Sequence, residues 1–184
     1  MIDKFVITLE AEDRTVATGQ LVSLEEYLHT SYRPDCDYVE GELRERNVGQ
    51  HDHSRLQFLI LLALGRKEEE WQVHTLPEQR LRVGQRRYRI PDILVLDAAA
   101  PRTPVIETAP LLCIEILSPD DRMSEILDRA ADYVGMGVPE TWIFDPAKRR
   151  AYIYGLQGLH EAGQDATLRC GNVEIALPDI FSKL

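Results

Sequence analysis

The chain contains few cysteines, few lysines and no long apolar run. Its three cysteines, Cys36, Cys113 and Cys170, are odd in number and too far apart for a CxxC pair, which argues against a disulfide scaffold or a zinc ribbon. Without a long apolar run the chain cannot form a membrane-spanning helix. Charges interrupt the N-terminal segment too early for the core of a signal peptide. We therefore expect a cytoplasmic protein without a membrane anchor.

The length of the chain suits a single domain. A chain of 184 residues can bury most of its apolar surface in one core. No linker, internal repeat or low-complexity tract divides it. We assign residues 1–20 to an N-terminal extension, whose weak alternation is compatible with an edge strand, and residues 21–184 to one domain.

The charge of the chain is unfavourable for binding nucleic acid, except in one segment. The formal net charge is −10, whereas affinity for a polyanion depends on Lys and Arg side chains that neutralise phosphates. Five arginines without an intervening acid precede Pro91 and Asp92; they are Arg80, Arg82, Arg86, Arg87 and Arg89. This segment is either a basic nucleic-acid-binding patch beside a functional site or a solvated hairpin with charged edges.

Helical and strand patterns are mixed along the chain. A capping box at Ser23 predicts a short helix, the apolar spacing from Gln50 to Glu69 predicts a long one, and a third is expected from Arg122 to about Val134. A hairpin is predicted around Gly41. Further strands are predicted at 71–75, 78–83, 88–96, 111–117, 141–144 and 151–154. The order favours an α/β or α+β domain built around one sheet.

Two acids lie within apolar strand segments. Glu115 is inside Leu-Leu-Cys-Ile-Glu-Ile-Leu, and Asp92 is followed by Ile-Leu-Val-Leu. A buried, unpaired carboxylate would cost several kcal/mol, so each acid needs compensation. If the two strands are adjacent, the acids converge, and a cation between them would relieve their repulsion. Oxygen ligands suit Mg²⁺ or Mn²⁺. Alternatively, each acid ends a strand and pairs with an arginine such as Arg89 or Arg122.

Several short motifs occur in a specific order across residues 21–182. They are Leu21–Tyr27, Glu40–Leu43, Arg89–Ile93, Ile114–Pro119, Tyr133 with Gly137–Pro146, and Leu177–Phe181. In order and spacing this set resembles the Uma2 family, a group of restriction-endonuclease-like proteins with the PD-(D/E)xK nuclease fold. The resemblance implies a mixed central sheet flanked by helices, and an endonuclease that hydrolyses DNA phosphodiester bonds with Mg²⁺ or Mn²⁺.

The resemblance also implies roles for individual residues. Asp92 and Glu115 would be the metal-binding acids, with the carbonyl of Ile116 as a further ligand. Glu42 and His53 match positions at which the family tends to keep an acid and a histidine facing the site. The alternative for His53 is a helix cap or a core histidine. Proteins with this fold often act as dimers, so a homodimer is also considered.

The chain departs from the family pattern at the lysine. The position two residues after the second acid is Leu117, and the position of a displaced lysine, on the next helix, is Arg129. Arginine can stabilise negative charge but cannot transfer a proton. Arg129 therefore either replaces the lysine in part or is a surface residue paired with Glu125. Besides a nuclease, we consider a catalytically impaired nucleic-acid-binding or regulatory module with the same fold, and a protein-interaction domain.

Overall fold

A computed structural model describes residues 21–47 and 50–184. The edge strand considered for residues 1–20 lies outside this part of the chain. The helices are α1 (Leu24–His29), α2 (His51–Gly65), α3 (Glu68–Trp71), α4 (Met123–Met136) and α5 (Leu177–Phe181). The strands are β1 (Cys36–Val39), β2 (Glu42–Glu45), β3 (Val73–Pro77), β4 (Leu81–Gly84), β5 (Arg87–Arg89), β6 (Ile93–Asp97), β7 (Leu112–Ile116), β8 (Glu140–Asp145), β9 (Arg150–Gly155), β10 (Gly158–Glu161), β11 (Thr167–Cys170) and β12 (Val173–Ala176).

A six-stranded mixed sheet forms the centre of the protein. Its strand order is β10-β9-β8-β7-β6-β3. The pair β7 and β8 is parallel, whereas the other neighbours are antiparallel. Every residue of β7 is buried, as expected of a strand covered on both faces. The expected α+β fold with a mixed central sheet flanked by helices is confirmed.

The two faces of this sheet pack against different helices. Because side chains alternate along a strand, Ile114 and Ile116 face the core that contains α2, whereas Cys113 and Glu115 face α4. The α2 side is closed by Leu56, Ile60 and Leu64, together with apolar side chains of β12 and α5. Glu115 is thus directed to the α4 side of this buried strand.

A second, four-stranded antiparallel sheet has the order β2-β1-β5-β4. The prediction of one strand over residues 88–96 is wrong, because the segment divides into β5 in this small sheet and β6 in the central sheet. The break falls at Pro91, which has no N–H with which to continue a ladder. As a consequence, Asp92 lies at the crossover between the two sheets.

Local signals explain the start of α1 and the end of α4. Ser23 caps α1 by accepting a hydrogen bond from the N–H of Glu26 (3.1 Å), as the capping box predicts. Gly137 ends α4 with a φ of 110°, a conformation that favours glycine. Within residues 21–47 and 50–184, no helix is both long and apolar enough to cross a bilayer.

A buried ion cluster connects the small sheet to α4. Arg89 on β5 is 4% exposed, and its Nη1 donates to Asp37 Oδ2 at 3.0 Å. Its Nη2 lies 2.6 Å from Asp132 Oδ2, on α4. The second oxygen of Asp37 accepts the N–H of Ile90 at 2.9 Å. The guanidinium therefore joins three elements, and its removal would leave the buried carboxylate of Asp37 without its cation and Asp132 with Arg87 alone.

Replacing Arg89 with alanine is expected to lower the free energy of unfolding by about 3–5 kcal/mol, since it leaves buried charge unpaired. The control is Arg44→Ala, which breaks the exposed pair with Glu42 and should cost less than about 1 kcal/mol. Urea unfolding followed by circular dichroism measures both values. Equal losses for the two variants would contradict the structural role of Arg89.

Candidate metal and active site

Asp92, directly before β6, and Glu115, on the adjacent strand β7, lie close together. The ladder between β6 and β7 ends at the pair Ile93 and Ile114. Beyond that end, the N–H of Ile116 donates to Asp92 Oδ2 at 2.6 Å. This hydrogen bond holds the carboxylate of Asp92 against the strand that carries Glu115. The expected convergence of the two acids is thus observed.

The backbone of Asp92 is also held in place. Its carbonyl oxygen accepts the side-chain amide of Gln57 on α2 at 3.0 Å and the N–H of Glu78 at 3.2 Å. Asp92 is 4% exposed. The crossover between the sheets is therefore fixed by both of its neighbours in space, which leaves the carboxylate little freedom to turn away.

Arg46 supplies the cation that the two acids require. It follows β2, its side chain is 13% exposed, and its Nη2 donates to Asp92 Oδ1. The same nitrogen lies 3.7 Å from Glu115 Oε2. Sequence reasoning missed Arg46, because the resemblance pointed to a metal and the arginine is distant in sequence from both acids. The only signal in the sequence was that two buried carboxylates need a compensating positive charge, which any buried cation can supply.

Glu115 is fully buried, and its two oxygens have different environments. Oε1 accepts a hydrogen bond of 2.6 Å from the hydroxyl of Tyr133 on α4. Oε2 has no hydrogen-bond partner among the described residues, although Arg129 Nε lies 3.4 Å away. Tyr133 therefore orients the carboxylate and leaves one oxygen directed at the position of the Arg46 nitrogen.

The two acids share their cations unequally. Burial and the neighbouring Asp92 raise the pKa of Glu115. Arg129, Arg46 and the hydroxyl of Tyr133 lower this pKa by a smaller amount, so the net shift is upward. Burial also acts to raise the pKa of Asp92, but Arg46, His53 and the N–H of Ile116 together hold it below its usual value. Asp92 is therefore the more firmly ionised member of the pair, in line with its direct contact to Arg46.

His53 faces the acid pair from the first turn of α2. It is nearly buried, and its Nε2 lies 3.4 Å from Asp92 Oδ2. Burial lowers the pKa of His53, but the carboxylate of Asp92 raises it by more. Its Nδ1 has no hydrogen-bond partner within the described part of the chain. The structure brings His53 to the site, whereas His51 is exposed and pairs with Asp52.

Arg129 also belongs to this cluster. Its side chain is 12% exposed, and it approaches Glu115 from α4. The alternative of a surface residue paired with Glu125 does not fit this position. The helix position at which the resemblance places a lysine thus carries a nearly buried cation that lies close to Glu115.

Glu42 is placed differently from the expectation. Its Oε2 accepts hydrogen bonds of 3.2 Å from Nε and Nη2 of Arg44, and its side chain is 40% exposed. These contacts lie on the outer strand of the small sheet. The prediction that Glu42 faces the acid pair is not confirmed.

The five arginines before Asp92 do not form a free basic patch. Arg80 donates to the carbonyl oxygens of α1 and its C-cap and lies over the ring of Tyr27. Arg82 pairs with Glu107, and Arg87 joins Arg89 in binding Asp132. Arg86 is exposed. Intramolecular partners thus occupy most of these side chains, which leaves less positive charge for a nucleic acid than the sequence suggests.

Two clefts give access to the cluster. One, of about 560 Å³, is lined by Arg46, Asn47, His53, Gln57 and Asp92 among others. The other, of about 490 Å³, is lined by His51, His53, Ser118, Asp121 and Lys148 among others. Asp121 connects the linings of the two clefts. It accepts a hydrogen bond from the N–H of Ser118 in the second cleft (2.7 Å) and one from the amide of Asn47 in the first (2.8 Å). His53 borders both clefts, and Asp92 lines the first of them.

The acid pair offers two carboxylates to a divalent cation. No group of three or more His, Cys, Asp or Glu side chains suited to a metal occurs in the described ranges. Asp92 Oδ1 and Glu115 Oε2 nevertheless approach a single nitrogen of Arg46, and Glu115 Oε2 is a buried oxygen without a hydrogen bond. Two carboxylate oxygens with backbone and water ligands fit Mg²⁺ or Mn²⁺ if Arg46 withdraws.

Known proteins resemble this chain in sequence and in fold. The family model Uma2, described as "Putative restriction endonuclease", matches residues 24–183. The crystal structure of a "putative nuclease belonging to DUF820" from Anabaena variabilis ATCC 29413 is similar to this chain, with a TM-score of 0.79 and 22% sequence identity. The superposition covers 88% of this chain and 98% of the Anabaena chain. At this identity the likeness shows a shared fold. No curated protein matches the sequence.

Removing the hydroxyl of Tyr133 tests how Glu115 is held. Tyr133→Phe should lower the free energy of unfolding by about 1–3 kcal/mol, because a buried carboxylate oxygen loses its donor. The matched control is Tyr154→Phe on β9, where the ring is half-buried, and a smaller loss is expected. Both are measured by urea unfolding without divalent ions. A Tyr133→Phe variant as stable as the unaltered chain would contradict this role.

Proposed function

The chain belongs to the Uma2 family, and we propose that it is a metal-dependent endonuclease that hydrolyses phosphodiester bonds of DNA. The observation that carries this proposal is the approach of Asp92 and Glu115 to one cation position beside a cleft. His53, which borders both clefts, faces the same buried point as the two acids.

Asp92 and Glu115 would hold Mg²⁺ or Mn²⁺, with the backbone carbonyl of Ile116 as a further ligand. Such an ion polarises a phosphoryl oxygen and lowers the pKa of a bound water. The protein contributes orientation. Ile116 N–H fixes Asp92, and the hydroxyl of Tyr133 fixes Glu115, so that neither carboxylate has to reorder when a substrate arrives.

The remaining residues of the cluster would act on the substrate phosphate. His53 lies beside Asp92 and lines both clefts, where an imidazole can hydrogen-bond a phosphate oxygen or a water. Arg129 carries positive charge to Glu115 in place of the family lysine. It stabilises negative charge but does not exchange protons near neutral pH, so proton transfer falls to His53 or to water.

Binding of DNA would rely on side chains other than the arginines at 80–89. Lys148 and His51 line the cleft next to His53, and Lys148 lies 3.1 Å from Asp145, so its charge is shared with that acid. A net charge of −10 makes the affinity of one copy low and salt-sensitive. A homodimer would place two such clefts along one duplex.

A second function is favoured by two specific observations. Leu117 stands at the usual lysine position, and Arg46 occupies the point where a metal would lie. A module with this fold that has lost its chemistry would bind nucleic acid without cleaving it. Such binding would weaken with salt and would not require a divalent ion.

Cleavage of supercoiled plasmid and of single-stranded DNA with Mg²⁺ or Mn²⁺ tests the leading proposal. Asp92→Asn should reduce the cleavage rate at least ~100-fold, because it removes a metal-binding charge. Asp97→Asn is the matched control, since Asp97 is an exposed acid at the other end of the same strand, and it should leave the rate unchanged.

The outcomes separate the candidate functions. Cleavage that persists in Asp92→Asn would come from a contaminant and would count against the nuclease. Salt-sensitive binding without cleavage, equal in the two variants, would favour the impaired module. Failure to bind either form of DNA at low salt would point to a protein-interaction domain.

A further inference from the structure

Arg46 occupies the candidate metal position itself. One nitrogen, Nη2, contacts Asp92 Oδ1 and lies 3.7 Å from Glu115 Oε2. These are the two oxygens that the proposed metal would use. A guanidinium and a divalent ion cannot occupy the space between the same two oxygens, so the two cations exclude each other.

Arg46 forms ion pairs with both acids, but its hydrogen bonds are incomplete. Its Nη1 is buried without a hydrogen-bond partner among residues 21–47 and 50–184, and so is Glu115 Oε2. Burying a guanidinium beside two carboxylates has a large desolvation cost, which unsatisfied atoms fail to recover fully. This arrangement neutralises the acid pair without the full set of bonds that either partner could make.

We propose that Arg46 is the resident counter-ion of the acid pair and competes directly with a divalent cation, so that the metal binds only when the guanidinium withdraws. The inference rests on the proposed function only in requiring that Asp92 and Glu115 bind a divalent ion. It assigns Arg46 a positioning role: without metal it holds the acids together, and with metal it is displaced.

Displacement has to be a movement of the side chain. A guanidinium does not lose its proton in proteins, so Arg46 cannot leave the pair by deprotonation. Arg46 also lines the 560 Å³ cleft, which provides space next to its present position. Arg129 remains beside Glu115 after the exchange, so one arginine is fixed and the other is exchangeable.

Direct metal binding tests the competition without measuring cleavage. After removal of metals with EDTA, Mn²⁺ is titrated into the protein and free Mn²⁺ is followed by electron paramagnetic resonance. Arg46→Met keeps an unbranched apolar stem and removes the charge. We expect it to bind Mn²⁺ about tenfold or more tightly than the unaltered chain, because a competing unit charge in contact with the acids is gone.

The matched control is Arg44→Met. Arg44 lies two residues earlier, is exposed and pairs with Glu42, so this variant has the same change in net charge. Its Mn²⁺ affinity should stay within about threefold of the unaltered chain, since exposed charges are screened. Affinity in Arg46→Met that is unchanged or weaker, or equal gains in both variants, would overturn the competition.

A second measurement uses the unaltered chain and does not depend on a variant that folds. Phenylglyoxal modifies accessible arginines, and mass spectrometry locates the adducts. Arg46 should react slowly without metal and severalfold faster with saturating Mn²⁺, whereas Arg89 in its separate ion cluster should stay unreactive. Unchanged or slower modification of Arg46 in Mn²⁺ would overturn the proposal.

The two proposals fail in different ways. Tighter Mn²⁺ binding by Arg46→Met, together with absent DNA cleavage, supports the competition and removes only the nuclease. Cleavage that requires Asp92, without any gain in Mn²⁺ affinity in Arg46→Met, supports the nuclease and refutes the competition. If neither the unaltered chain nor Arg46→Met binds Mn²⁺, the competition is refuted.

Discussion

The hydrogen bond from the N–H of Ile116 to the carboxylate of Asp92 is the contact on which the site depends. It forms where the ladder between β6 and β7 has ended, and there it brings together two acids that would otherwise repel. The other side chains around the pair compensate this repulsion. Arg46 and Arg129 supply positive charge, and Tyr133 satisfies an oxygen of Glu115. The buried charges are tolerated because each has at least one partner of opposite sign.

Local and periodic features of the sequence predicted much of the fold. The capping box at Ser23, the hairpin around Gly41 and the buried strand with Glu115 all correspond to observed elements. Proximity of Asp92 and Glu115 could be predicted because both acids lie in apolar strands, where an unpaired charge is unstable. The division of residues 88–96 between two sheets was missed, although Pro91 was the physical reason for it.

Partners distant in sequence were the main gap in prediction. Arg46 reaches the acids from a different sheet, so no spacing rule connects it to them. The arginines at 80–89 read as a basic patch because their acidic partners, such as Asp37, Glu107 and Asp132, lie elsewhere in the chain. Charge counted along a sequence does not show which charges are already neutralised in the fold. Conversely, Arg129 is more buried than a helical surface pair would require, because it contacts Glu115.

The crossover at Pro91 has a mechanical consequence. Arg46 follows β2 of the small sheet, whereas Asp92 directly precedes β6 and Glu115 lies on β7, both in the central sheet. A tilt of the small sheet would therefore move the guanidinium relative to both carboxylates. The β1–β2 turn at Gly41 lies at the opposite end of β2 from Arg46. A bulky domain inserted at this turn would act on the contact between the guanidinium and the acids from outside the cleft.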